Sequence, residues 1–202
     1  TIWTGQTTGE PTSARFTAGN RAPILVVAGR QIPTRERLEV LAVGTCQEFR
    51  EGRPIRALIH DVAQAGGIPV IPWGAGKWSG KRGRLVDELI TSSTLPPFFL
   101  GDSGNRPGFW PRPVQFRRAE EEGVGILSGT DPLPFPGEEK RVGSFGSGLR
   151  GAFEAVDSDE PALGLKRDLM APTTSLTPFG ELESSFRFVR NQMKMQFRKL
   201  TQ

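Results

Sequence analysis

The 202-residue chain carries 26 Lys and Arg against 22 Asp and Glu, a net charge of +4, with 36% apolar residues, 25 Gly and 17 Pro. That length supports one domain, or one with an appendage, able to bury about 70% of its extended-chain surface. The charge is too small and too dispersed for a dedicated nucleic-acid binder, and the single Cys46 excludes an internal disulfide and cysteine-rich zinc sites.

No apolar run is long enough to span a membrane and no signal peptide opens the chain, which reads as a cytoplasmic protein with acidic small molecules as its expected partners. Oligomeric state is not legible.

Residues 1–22 are rich in Thr and Gly and show no sustained period, so they predict an irregular N-terminal lead-in with Trp3 tucked against the body. Residues 23–28, PILVVA, predict a buried strand stopped by Gly29. Residues 38–43, LEVLAV, predict a second, stopped by Gly44. The polar segment between them is too short for a crossover helix and points to antiparallel neighbours. Cys46, at the end of this strand, reads as a small buried residue.

Residues 54–65 predict a helix with Pro54 at its start and Ile55, Leu58, Ile59 and Val62 on one face, leaving His60 on the opposite, solvated line. The chain is organised around residues 67–82, GIPVIPWGAGKWSGKR. The apolar run there predicts a buried strand that delivers a loop with glycines, three cations and two indoles. In α/β folds ligands sit at such strand ends.

Leu85, Val86, Leu89 and Ile90 mark a second amphipathic helix, residues 98–100 a short strand, and residues 117–122 a short helix ending at Gly123. Residues 124–127 predict the next strand. Strand, polar loop and helix thus recur from 54 to 131, which argues for a parallel sheet or barrel with right-handed crossovers.

Residues 141–152 predict a glycine-rich turn and 155–176 a loop. In 177–202, Thr177 precedes Pro178 as a cap, and Leu182, Phe186, Val189, Met193, Phe197 and Leu200 share one stripe among Arg187, Arg190, Lys194, Arg198 and Lys199. This predicts a C-terminal amphipathic helix that docks its stripe on the body. The expected organisation is a lead-in over 1–22, an α/β barrel over 23–154, a loop over 155–176 and the docked helix over 177–202.

In a parallel arrangement three strand ends converge: Trp73 with Lys77, Lys81 and Arg82; Asp102 with Asn105 and Arg106; and Thr130 with Asp131. Carboxylates beside cations stay ionised, and a guanidinium grips phosphate or carboxylate through two hydrogen bonds. The same aspartates also suit turn or helix capping. Two aspartates could hold a divalent cation, although two carboxylates alone make a weak ligand set.

The order of residues 26–44, 66–74 and 126–134 resembles the PHP (polymerase and histidinol phosphatase) family, metal-dependent phosphoesterases on a distorted (β/α)7 barrel. The resemblance covers about residues 23–134 and rests on strand order and strand-end position. Gly29-Arg30-Gln31-Ile32 stands where the family has Gly-x-Glu-Ile, so Gln31 replaces a metal-binding glutamate, and a family histidine falls at or near Glu39. Ile71-Pro72-Trp73 takes the place of Ala-His-Pro, and Thr130-Asp131-Pro132-Leu133 that of Ser-Asp-x-His, keeping only the aspartate. The opening His-x-His strand has no counterpart. The resemblance therefore implies a distorted or incomplete (β/α)7 TIM-like barrel. Its metal centre would be absent, or reduced to one Mn, Mg or Zn ion at Glu39, Asp102 and Asp131.

On this reading the domain binds a phosphorylated or otherwise anionic small molecule. Lys77, Lys81, Arg82, Asn105 and Arg106 hold the anion, Trp73 or Trp78 stacks on it, and Asp102 and Asp131 orient water or a hydroxyl. Any turnover would be phosphate-ester hydrolysis with a carboxylate as general base. The alternative is a non-catalytic scaffold whose basic C-terminal helix contacts a partner protein or acidic surface.

Overall fold

The computed structural model describes residues 2–150 and 158–200. The parts of the sequence reading that fall on 151–157, on the chain's terminal residues and on the side chains of 197–200 lie outside the described residues.

A small antiparallel sheet comes first: β1 (Thr4–Thr7), β2 (Ser13–Thr17) and β3 (Ile24–Val27). The lead-in is therefore ordered. The apolar run at 23–28 is not a buried strand: Ile24 and Val26 are about half exposed, because only one face of this three-stranded sheet is covered.

The main sheet has seven strands. The polar connection after Gly29 supplies β4 (Gly29–Pro33), followed by β5 (Glu39–Val43), helix α1 (Ile55–Gln64) and β6 (Ile68–Pro72). Helix α2 (Gly80–Ile90) leads to β7 (Phe99–Ser103), and α3 (Val114–Glu121) to β8 (Ile126–Gly129). The chain closes with β9 (Phe145–Arg150), α4 (Pro161–Met170), β10 (Ser175–Gly180) and α5 (Ser185–Leu200).

The strand order is β10-β9-β8-β7-β6-β5-β4. Pairings β6–β7 and β7–β8 are parallel, whereas β4–β5, β5–β6, β8–β9 and β9–β10 are antiparallel. The predicted (β/α)7 TIM-like barrel is thus not formed. β4 and β10 stand at opposite ends of an open sheet, since only α2 and α3 serve as crossovers between neighbouring parallel strands. The glycine-rich turn expected at 141–152 is largely β9, and the loop expected over 155–176 contains α4. The C-terminal helix starts at Ser185, because Thr177 and Pro178 belong to β10. Among the described residues no helix is long and apolar enough to cross a membrane.

Both faces of the central strands are covered, which explains why β6 reads as a continuous apolar run. Ile71, Trp73 and Leu100 face α1, α2 and α3. Ile68, Val70 and Phe99 face α4 through Leu169. Ile55, Leu58, Ile59 and Val62 are buried, as their helical spacing predicts, and His60 is exposed. Cys46 is exposed rather than buried, with its thiol directed at the Pro11 carbonyl oxygen.

Glu10 ties the small sheet to α4, the helix that covers one face of the main sheet. Its carboxylate accepts hydrogen bonds from the Ser13 hydroxyl and from the amides of Ala162 and Leu163 at the start of α4. Partial burial pushes this carboxyl upward, but the bonds from Ser13, Ala162, Thr12 and Leu163 outweigh it and hold the pKa below the ordinary glutamate value. Such a group stabilises the fold fully above its unfolded-state pKa, and the contribution is lost as pH falls through the lowered folded-state value. Glu10→Gln should therefore lower the unfolding free energy by about 1 kcal/mol at neutral pH. In urea titrations the gap should close at acid pH; a gap independent of pH would exclude this role.

Candidate functional site

Strands β6, β7 and β8 end on the same side of the sheet. The Trp73 amide bonds to the Gly101 carbonyl at 2.8 Å, and the Gly104 amide to Gly129 at 2.8 Å. The strand ends named in the sequence do share one end of the molecule.

At the β6 end Trp73 is buried and meets Trp110 edge-on, with ring centroids 6.2 Å apart. Because β5 runs antiparallel to β6, Glu39 at its start lies beside this end, and Lys77 donates to its carboxylate. Arg82 donates to the carbonyls of Gly76 at 2.9 Å and Arg37 at 3.4 Å, while Lys81 is exposed on the first turn of α2. Trp78 belongs to the core, packed edge-on against Phe116 at 5.4 Å. It is not placed to stack on a ligand.

The β7 end is built differently. A tight turn, closed by the Arg106 amide on the Ser103 carbonyl at 2.9 Å, brings the Arg106 guanidinium back over Asp102. Nε donates to Oδ1 at 2.9 Å and Nη2 to Oδ2 at 2.8 Å, and the two side chains are 8% and 9% exposed. At the β8 end Asp131 takes a left-handed φ of 50°, which Asp tolerates better than most residues. Its Oδ2 accepts from the Ser103 hydroxyl at 2.9 Å, and its carbonyl accepts from the Asn105 amide group.

The C-terminal segment covers this region. Glu183 exchanges backbone hydrogen bonds with Arg106 and Gly108, each at 3.0 Å. Its buried carboxylate lies 3.0 Å from Arg141 and 3.6 Å from Arg187, and Arg141 also pairs with Glu138 at 3.1 Å. Phe188 of α5 packs edge-on against Phe109 and Trp110 at 6.2 and 6.0 Å. Most cations expected to meet a ligand therefore already meet an acid or carbonyl of the chain itself.

A cavity of about 560 Å³ opens beside this cluster, next to α3. Its polar lining is Asp102, Arg106, Arg112, Glu120, Ser128 and Thr174; Val124, Ile126, Phe145, Leu176 and Leu182 give it apolar walls. Lys77, Lys81, Arg82, Trp73 and Asn105 do not line it. Arg112 and Glu120 form a forked pair at 2.9 and 2.5 Å across the mouth, each about half exposed. The hydrogen bonds it donates to Glu120 raise the Arg112 pKa against partial burial, with added attraction from Glu120 and Asp102. Those bonds likewise hold Glu120 below the ordinary carboxylate range.

The metal set expected at Glu39, Asp102 and Asp131 is not assembled, and among the described residues no three His, Cys, Asp or Glu side chains are grouped to hold an ion. Each carboxylate is engaged separately, by Lys77, Arg106 and Ser103. Arg112 and Glu120 escaped the sequence reading because their pairing depends on the approach of the α3 lead-in to the last turn of that helix. Only the Pro111-Arg112-Pro113 run signals a fixed arginine there.

The buried and exposed acids should respond differently to neutralisation. Glu183→Gln should cost about 2 kcal/mol, because it removes one of the two buried carboxylates that balance Arg141 and leaves Glu138 as the other. Glu120→Gln should cost less than about 1 kcal/mol. Chemical denaturation of both variants checks this, and equal losses would contradict it. Comparison of the chain with family models, with curated proteins and with solved structures gives no match.

Proposed function

We propose that this domain binds a small molecule bearing a phosphate or carboxylate in the cavity beside α3, with Arg112 as the residue that takes the anion. The observation that carries this reading is the contrast between two arginines lining one cavity. Arg106 is locked onto Asp102 in a buried pair, whereas Arg112 is held by Glu120 in a pair that water reaches from both sides. A half-exposed pair contributes at most about 1 kcal/mol, so a ligand oxyanion displaces Glu120 at small cost and reuses the same guanidinium fork.

The volume of about 560 Å³ suits a small organic ligand, and apolar walls with few convergent polar groups are the usual composition of such sites. Val124, Ile126 and Leu176 would take the organic body, with Ser128 and Thr174 as hydroxyl partners. Hydrolysis is not favoured by the carboxylates: both Asp102 oxygens are engaged by Arg106, and one Asp131 oxygen by Ser103.

Titration calorimetry with phenyl phosphate and inorganic phosphate tests the reading. Phenyl phosphate should bind more tightly than phosphate, Arg112→Ala should weaken it about tenfold or more, and Lys77→Ala should leave it unchanged. Loss of binding on Lys77→Ala with Arg112→Ala unaffected would move the site to the β6 loop. Phosphate release in the presence of manganese or zinc would show turnover.

A further inference from the structure

Helix α5 docks on its unexpected face. Asn191 is buried and Phe188 and Met195 are half-buried on one side. The apolar stripe picked out by spacing points the other way: Phe186 is 77% exposed, Val189 54% and Met193 55%. At 100° per residue, Phe188 lies about 130° from the middle of that stripe. Among the described residues the stripe is thus left uncovered, on a helix already anchored from behind.

We propose that this stripe is a docking surface for an acidic amphipathic helix of a partner protein. Three observations select that occupant. The spacing of Phe186, Val189 and Met193 gives anchors at i, i+3 and i+7, the pattern by which helices pair side by side. The stripe spans only about 60° of the helix, narrower than the apolar arc of about 100° or more found on helices that bury a broad face.

The third is charge. Apart from Arg187, which already pairs with Glu183, the sequence of α5 holds Arg190, Lys194, Arg198 and Lys199 and no acidic residue, and the Arg190 guanidinium lies over the Phe186 ring at 6.0 Å. A second copy would bring like charges together across the seam, whereas glutamates flanking an apolar seam would complement them. This inference is independent of the cavity, and its failure leaves that reading untouched.

The test uses the whole chain and a synthetic helical peptide of about three heptads with Leu at the seam and Glu beside it. Fluorescence anisotropy should show binding that weakens with added salt. Phe186→Ser, Val189→Ser and Met193→Ser together should reduce affinity about tenfold or more, and Arg190→Glu should also weaken it. The side chains are exposed, so circular dichroism and urea midpoints should not change. Absence of peptide binding, or binding unaffected by the triple substitution, would overturn the proposal. Preferential binding to phosphatidylserine vesicles, or a dimer in sedimentation that the same substitutions disperse, would also overturn it in favour of a membrane or a second copy.

Discussion

The Arg106 guanidinium, held by both oxygens of Asp102 at the end of β7, is the contact around which the strand ends are arranged. Two charges this deeply buried are tolerated because a pair of parallel, well-formed hydrogen bonds joins them. The removal of either partner would strand a charge away from water. The pair also places Arg106 so that its backbone carbonyl receives the Glu183 amide, which leads the chain into α5. One turn of four residues after β7 thereby shapes a cavity wall and fastens the C-terminal segment.

Internal pairing of this kind sets the electrostatic character of the region. A set of arginines and lysines near strand ends suggests a strongly positive mouth, yet Lys77, Arg106 and Arg141 have Glu39, Asp102, Glu138 and Glu183 as internal counter-ions. What is left to ligand recognition is decided by exposure rather than by the number of cations. Arg112 stands out because its partner Glu120 is equally wet, so the exchange of one oxyanion for another there costs little.

Local pattern made part of this legible. The face of α1 and the burial of β6 follow directly from apolar spacing. The parallel strands β6, β7 and β8 follow from the alternation of short apolar runs with amphipathic helices, so Asp102 and Asp131 reach one end together. The open sheet was not legible, because β4, β9 and β10 carry no sustained apolar run, and pairing direction at sheet edges leaves little trace in spacing. The α5 stripe illustrates a different limit: periodicity identifies an apolar line but not the side from which the helix is held. Phe188 and Asn191, which lie off that line, make the contact with the body, while Glu183 fixes the approach.

The central claim is that Asp102 and Arg106 act as one buried unit and not as two ligand-seeking groups. A double-mutant cycle with Asp102→Asn and Arg106→Gln, followed by urea denaturation, measures this directly. The account requires a coupling of about 2 kcal/mol or more, with the double variant less destabilised than the sum of the two single variants. Additive losses within about 0.5 kcal/mol would show that the two side chains are energetically independent and would contradict it.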